Sequence, residues 1–168
     1  MGTREMTVQE VLDWLDSVAP FDTQEDFDNS GLQLGHAKQS VRGILLALDA
    51  TEQVVEEALA LGANLIVAHH PLIFTPQKDM NLARHTPRLL SLLIRHQIAL
   101  VAAHTNLDKS QEYSASLAVC GLLGLVNIRR AWGYLFLGDV PGGMDAGVLR
   151  QKVSESLGVP ARLYGSAD

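Results

Sequence analysis

Three apolar runs, VRGILLALD (41–49), NLIVAHH (64–70) and IALVAAH (98–104), alternate with two stretches of helical periodicity, and no other feature narrows the fold as far. Runs this short and continuously apolar suit strands covered on both faces, as in a parallel sheet. Between the first two lies TEQVVEEALALGA, with Thr51 placed to cap, Gly62 to stop, and Val54, Val55, Ala58 and Leu59 on one stripe. Between the second and third lies TPRLLSLLIRHQ, where Thr86 can cap and Pro87 suits the first turn. Strand, helix, strand, helix, strand at this spacing predicts an α/β fold, a largely parallel sheet flanked by helices.

The flanks add less. Thr7 and Glu10 form a capping-box pattern, and Val8, Val11, Leu12, Leu15 and Val18 recur at helical spacing, so a first helix is predicted from Thr7 to Val18, ending before Pro20. FDNSGLQLG (27–35) reads as a turn, with Asp28 and Asn29 as simple turn formers. Beyond residue 110, SASLAVCGLLGL and GVLRQKVSESLG read as helices, GYLFLGDV as a strand, and VPARLYG as the start of another. No repeat, charge block or linker divides the chain, and residues 1–168 are read as a single α/β domain.

Composition excludes several functions. A net charge of -6 argues against a general nucleic-acid binder, which needs clustered Lys and Arg against phosphate. The lone Cys120, set in an apolar run with no cation beside it, reads as a buried, inert thiol and rules out Cys-rich zinc sites. MGTREMTVQE lacks the basic-then-apolar layout of a signal peptide, and no apolar stretch reaches the ~18 residues that span a bilayer. A cytoplasmic protein with no membrane partner is the expectation. Neither GxxxxGK(S/T) nor GxGxxG after a strand occurs, and no GxSxG elbow is found.

The chemistry sits at the strand exits. In open α/β sheets ligands bind beyond the carboxyl ends of the strands. Here those ends carry Asp49, the pair His69–His70, and His104 through Asp108. Successive strand residues face opposite sides, so His69 and His70 suit a pair of ions, one ring each, and Pro71 favours the extended geometry that keeps them diverging. Neutral imidazole suits zinc, iron or nickel, and the Asp108 carboxylate can bridge two cations. The plainer alternative packs one His in the core and lets the other cap a helix. His104 lies four residues before Asp108, on one face if the chain turns helical; otherwise it orients a ligand from behind. Asn106 reads as satisfying backbone groups, Asp49 as either a helix cap or a site residue, and His36, His85 and His96 as surface residues.

Read in order, FDNSGLQLG, LDAT, NLIVAHHPLIF and AAHTNLD resemble the GTP cyclohydrolase type 2 homologue family, the NGG-interacting-factor-three-like dinuclear-metal proteins. The resemblance is strong from about Thr7 to Asp108 and fainter beyond, where DKSQEYSASL departs from the family's small turn. It implies that His69, His70 and Asp108 are metal ligands, with His104 acting as a general base or orienting water. It implies divalent metal ions, two per site: zinc, iron, nickel or manganese. The family's further ligands, a His and a Glu, lie in a C-terminal half that this sequence does not match, so weak or partial metal occupancy is expected. A homo-oligomer, the family's ring-shaped homohexamer, is the implied assembly. The implied function is metal-dependent hydrolysis by an activated water, on a small molecule that is a nucleotide if the family name holds, with attack at C8 of the guanine of GTP. The alternatives are hydrolysis of another phosphoester or amide, and a non-enzymatic metal-handling or regulatory protein.

Overall fold

Helix α1 (Val8–Val18) begins where its capping box dictates. The Thr7 side chain accepts from Glu10 N at 3.3 Å, and the Glu10 carboxylate accepts from Thr7 N at 2.9 Å. A computed structural model describes residues 5–165, and the chain separates into two units, Met1–Ser110 and Gln111–Asp168.

In the first unit, β1 (Gly31–Leu34), β2 (Ile44–Ala47), α2 (Glu52–Ala60), β3 (Leu65–Ala68), α3 (His85–Arg95), β4 (Ala99–Ala102) and α4 (Thr105–Asp108) follow α1. The sheet order is β1-β4-β3-β2, with β2, β3 and β4 parallel, so the predicted mixed α/β architecture is present. Thr51 caps α2 by accepting from Val54 N, and Gly62, at φ +70°, lets the chain leave that helix. The predicted start of α3 shifts: Arg84 holds the cap position, and Thr86 lies inside the first turn with Pro87.

Two further findings in this unit differ from the sequence reading. Residues 31–34, read as turn, form β1, antiparallel to β4, with a bulge between Leu32 and Leu34. Within the apolar run 41–49, β2 is covered on one face only. β2 is an edge strand whose Ile44 and Leu46 are 42% and 75% exposed, because α1 lies over β3 and β4 instead. Apolar composition is the same for a covered and an uncovered strand, so the sequence could not separate them.

Two cores lock the sheet. Val55, Ala58, Leu89 and Leu93 from α2 and α3 pack on Ile66 and Leu100, while Val8, Val11 and Leu15 of α1 pack on Leu65, Ala99 and Val101 across the other face. Alternate residues of each central strand supply the two faces, as the pleat requires. Gly35, at φ +113°, permits the closest approach: a β-carbon there would stand 2.7 Å from Cβ of Ala99.

The second unit holds α5 (Ala115–Leu122), capped by Ser114, the hairpin β5 (Val126–Trp132) and β6 (Leu135–Asp139), and α6 (Ala146–Leu157), capped by Asp145. Both predicted helices and the strand are present, and Cys120 is buried as read. β5 was not predicted, since its arginines mask the strand pattern, and VPARLYG (159–165) forms no strand. No described helix is long and apolar enough to cross a membrane.

Candidate metal centre

The parallel ladder continues past the strand ends. His69 N and His70 N donate to the carbonyls of Ala47 and Leu48 at 3.0 and 2.9 Å, and Ala103 N donates to Ala68 O at 3.0 Å. Ala47 stands opposite Ala68, and Ala68 opposite Ala102. Two residues further along, the same register sets Asp49, His70 and His104 in one row across three neighbouring exits. Strands ~4.8 Å apart bring such a row within side-chain reach. The ring centres of His70 and His104 are accordingly 5.5 Å apart. His69, on the bend beyond β3, tilts 48° from His70, so the adjacent rings stay 5.1 Å apart rather than facing away from each other.

Each ring is held through Nδ1. His69 Nδ1 is 2.9 Å from the Ala103 carbonyl, His70 Nδ1 is 2.8 Å from the Asp49 carboxylate, and His104 Nδ1 is 2.9 Å from the Asp28 carboxylate. A carbonyl and two carboxylates can only accept, so Nδ1 carries the proton and donates in all three. In the neutral ring this leaves the lone pair on Nε2, the tautomer a metal ligand or a general base needs.

One ring nitrogen from each of His69, His70 and His104 forms a group whose members all lie within 4.8 Å of one another. Donors around a tetrahedral zinc stand about 3.4 Å apart, given bonds of ~2.1 Å, so the group is slightly open and small χ rotations would close it. Asp108 adjoins at His69, Oδ2 standing 3.7 Å from Nε2. It is placed by the helical turn of α4, where Asp108 N donates to His104 O at 3.0 Å. Imidazole nitrogens with a carboxylate oxygen suit a borderline divalent cation. The donor set therefore fits the metal that the resemblance implies.

Asp28 is the residue that the sequence reading undervalued. Its side chain is 0% exposed. Besides His104 it accepts from Thr105 N at 3.0 Å, from Asn29 N at 2.7 Å and from the hydroxyls of Thr105 and Ser30. Burial alone would raise its pKa; the hydrogen bonds from Thr105, His104 and Asn29 outweigh burial and hold the carboxyl at about 2, below its usual 3.8. The signal that could have found it is β1: with Gly31 opposite Ala102, residues 28 and 29 must pass beside His104 and Thr105.

The neighbouring residues sort as follows. Asp49 holds His70, while Thr51 caps the helix. Asn106, fully buried, accepts from His104 N at 3.0 Å and donates to Ala19 O at 2.7 Å, the backbone role read for it. His36, His85 and His96 are exposed.

Comparison with known proteins agrees with the motif resemblance. A family model, Duf34/NIF3 (NGG1p interacting factor 3), matches residues 6–168. A GTP cyclohydrolase 1 type 2 homolog of Staphylococcus aureus (strain Mu50) is 40% identical over 123 residues, 73% of this chain and 33% of its own. A protein of the same name from Clostridium perfringens (strain 13) is 39% identical over 103 residues, 61% of this chain and 39% of its own. The chain thus spans about a third of the length of the curated relatives it matches. The crystal structure of a Bacillus cereus protein related to NIF3 superposes with a TM-score of 0.71 at 37% identity, over 76% of this chain and 35% of that one. Reduced HcgD from Methanocaldococcus jannaschii gives 0.78 at 24% identity, over 92% and 61%, a likeness of fold alone. On the family match and these relatives, the chain belongs to the Duf34/NIF3 family.

Proposed function

We propose that this chain binds divalent metal at the strand exits through His69, His70 and Asp108, and that the site hydrolyses a small molecule with His104 as general base. The observation that carries the reading is that three imidazoles, each fixed at Nδ1 by its own acceptor, bring ring nitrogens within 4.8 Å of one another. Bound there, a divalent cation would bring the pKa of water toward ~7 and polarise the group attacked. His69 and His70 differ from His104 in what stands behind them. His69 leans on a carbonyl, and His70 on the half-exposed Asp49 carboxylate. His104 leans on the buried, anionic Asp28, which stabilises the imidazolium formed when Nε2 takes a proton. His104 therefore accepts the proton that the attacking water loses, and later returns it to the leaving group. Its position one register step from His70 keeps that transfer short.

The test combines metal content with turnover. Zinc- or manganese-reconstituted protein is screened against phosphoesters, amides and GTP, the last because of the name the staphylococcal and clostridial relatives carry. His69→Ala and Asp108→Ala should lose both metal and turnover, whereas His104→Ala should keep metal and lose turnover by about 10²-fold or more. Metal retained by wild type with no turnover on any substrate favours the non-enzymatic, metal-handling alternative. Turnover that survives His69→Ala overturns the proposal.

A further inference from the structure

The FDNSGLQLG segment holds more than His104. Asn29 Nδ2 donates to Ile73 O at 2.6 Å, Gln33 Nε2 donates to the same carbonyl at 3.3 Å, and Gln33 Oε1 accepts from Ile73 N at 2.8 Å. These bonds pin the backbone just before Phe74, in the loop that leaves His70. So held, Phe74 sets its ring edge-on to His104, centroids 6.3 Å apart at 75°. Phe27, next to Asp28, stands 6.3 Å from Phe74 at 46°. Both rings nevertheless remain open to solvent, 61% exposed for Phe27 and 45% for Phe74.

The pair packs ring on ring while keeping open faces beside the histidine rim, and the polar bonds from Asn29 and Gln33 fix the backbone that carries Phe74. The adjacent ring centres run from His104 to Phe74 to Phe27, so the apolar surface begins one ring width from the proton-accepting imidazole.

We infer that Phe27 and Phe74 form an aromatic platform for a planar aryl or heteroaryl ring of the substrate, whose hydrolysable anionic group reaches the histidine rim. This rests on the proposed function, since it is the metal rim that would take the anionic end. A planar ring stacked on or edge-packed against the Phe pair gains quadrupole contacts that a flexible alkyl chain of similar size does not. The platform thus sets preference for the group beside the scissile bond, and Asn29 and Gln33 are positioning residues for it.

The test uses the full chain loaded with zinc and titrated by calorimetry with phenyl phosphate and n-butyl phosphate, which share a charge and differ in the ring. Zinc content is measured separately. Phenyl phosphate should bind roughly threefold to tenfold more tightly, the range an aromatic pair supplies. Phe74→Leu should abolish the preference and Phe27→Leu should reduce it, both with zinc content unchanged; each is a substitution at an exposed position that keeps apolar volume. Equal binding of the two phosphates by wild type, or a preference that persists in both variants, overturns the inference and leaves the metal proposal standing. Zinc that does not bind wild type even when supplied in excess refutes the proposed function, and the inference falls with it.

Discussion

Replacing Asp28 with asparagine keeps the shape of the side chain and removes its charge. In the folded chain the carboxyl titrates at about 2 rather than 3.8, because the hydrogen bonds from Thr105, His104 and Asn29 outweigh the burial that opposes ionisation. At about 1.36 kcal/mol for each tenfold change in acidity, that difference amounts to roughly 2 kcal/mol of stability at neutral pH. An amide also presents an NH₂ where the carboxylate accepted throughout, so at least one of the Thr105 and His104 donors loses its partner, adding about 1 kcal/mol. The folded value lies below the unfolded one, so the charge contribution is fully present above 3.8 and is lost as pH falls through about 2. The assay is urea unfolding of chelator-treated protein at several pH values. Trp14 fluorescence in a Trp132→Phe background reports the first unit alone, Trp132 being 75% exposed and so mild to replace. Asp28→Asn should cost roughly 2–3 kcal/mol at pH 7, with the gap shrinking toward about 1 kcal/mol near pH 2. A loss below about 0.5 kcal/mol at pH 7, or a gap that does not narrow in acid, would refute the assignment of Asp28 as a buried anion.

Other perturbations probe the scaffold and the rim. Leu93→Ala deletes a fully buried side chain between α3 and the sheet and should cost about 2–5 kcal/mol in the same assay, against less than about 1 for Ile94→Ala at a 56% exposed position. Gly35→Ala combines φ +113° with a contact 2.7 Å from Cβ of Ala99 and should cost about 2 kcal/mol or more; Gly62→Ala, at φ +70° with nothing within 4 Å, should cost about 1. Zinc affinity followed by competition with a chromophoric chelator should weaken steadily as pH falls, since protons compete for the same Nε2 lone pairs, and His36→Ala should leave it unchanged.

What was legible in the sequence is what local chemistry decides. The Thr7–Glu10 box fixes the start of α1, Thr51 and Gly62 bracket α2, and three apolar runs give three parallel strands in the order of the exits they share. Position at the predicted strand exits, together with the motif resemblance, marked His69, His70, His104 and Asp108 as candidates. The remainder depends on pairing across long stretches of chain. Residues 31–34 look like turn because Gly31 and the polar residues before it favour turns, and only the partner β4 makes them a strand. With β1 unseen, Asp28 had no reason to meet His104, and Asn29 and Gln33 had none to meet Ile73. The divergence predicted for His69 and His70 rested on Pro71 keeping His70 extended, whereas a bend at residues 69–70 leaves the two ring centres 5.1 Å apart. β5 escaped notice because a two-stranded hairpin can leave most of its side chains in water, Arg129 and Arg130 among them.

The central claim is that the paired rings of His69 and His70 beyond β3 and the carboxylate of Asp108 beyond β4 jointly hold a cation. Crystals grown with zinc and measured on both sides of its absorption edge decide this directly. The account predicts an anomalous peak about 2.0–2.1 Å from Nε2 of at least one of His69 and His70 and about 2.0–2.2 Å from an oxygen of Asp108. Fully occupied peaks on the exposed His36 or His96 with none at the strand exits would contradict it.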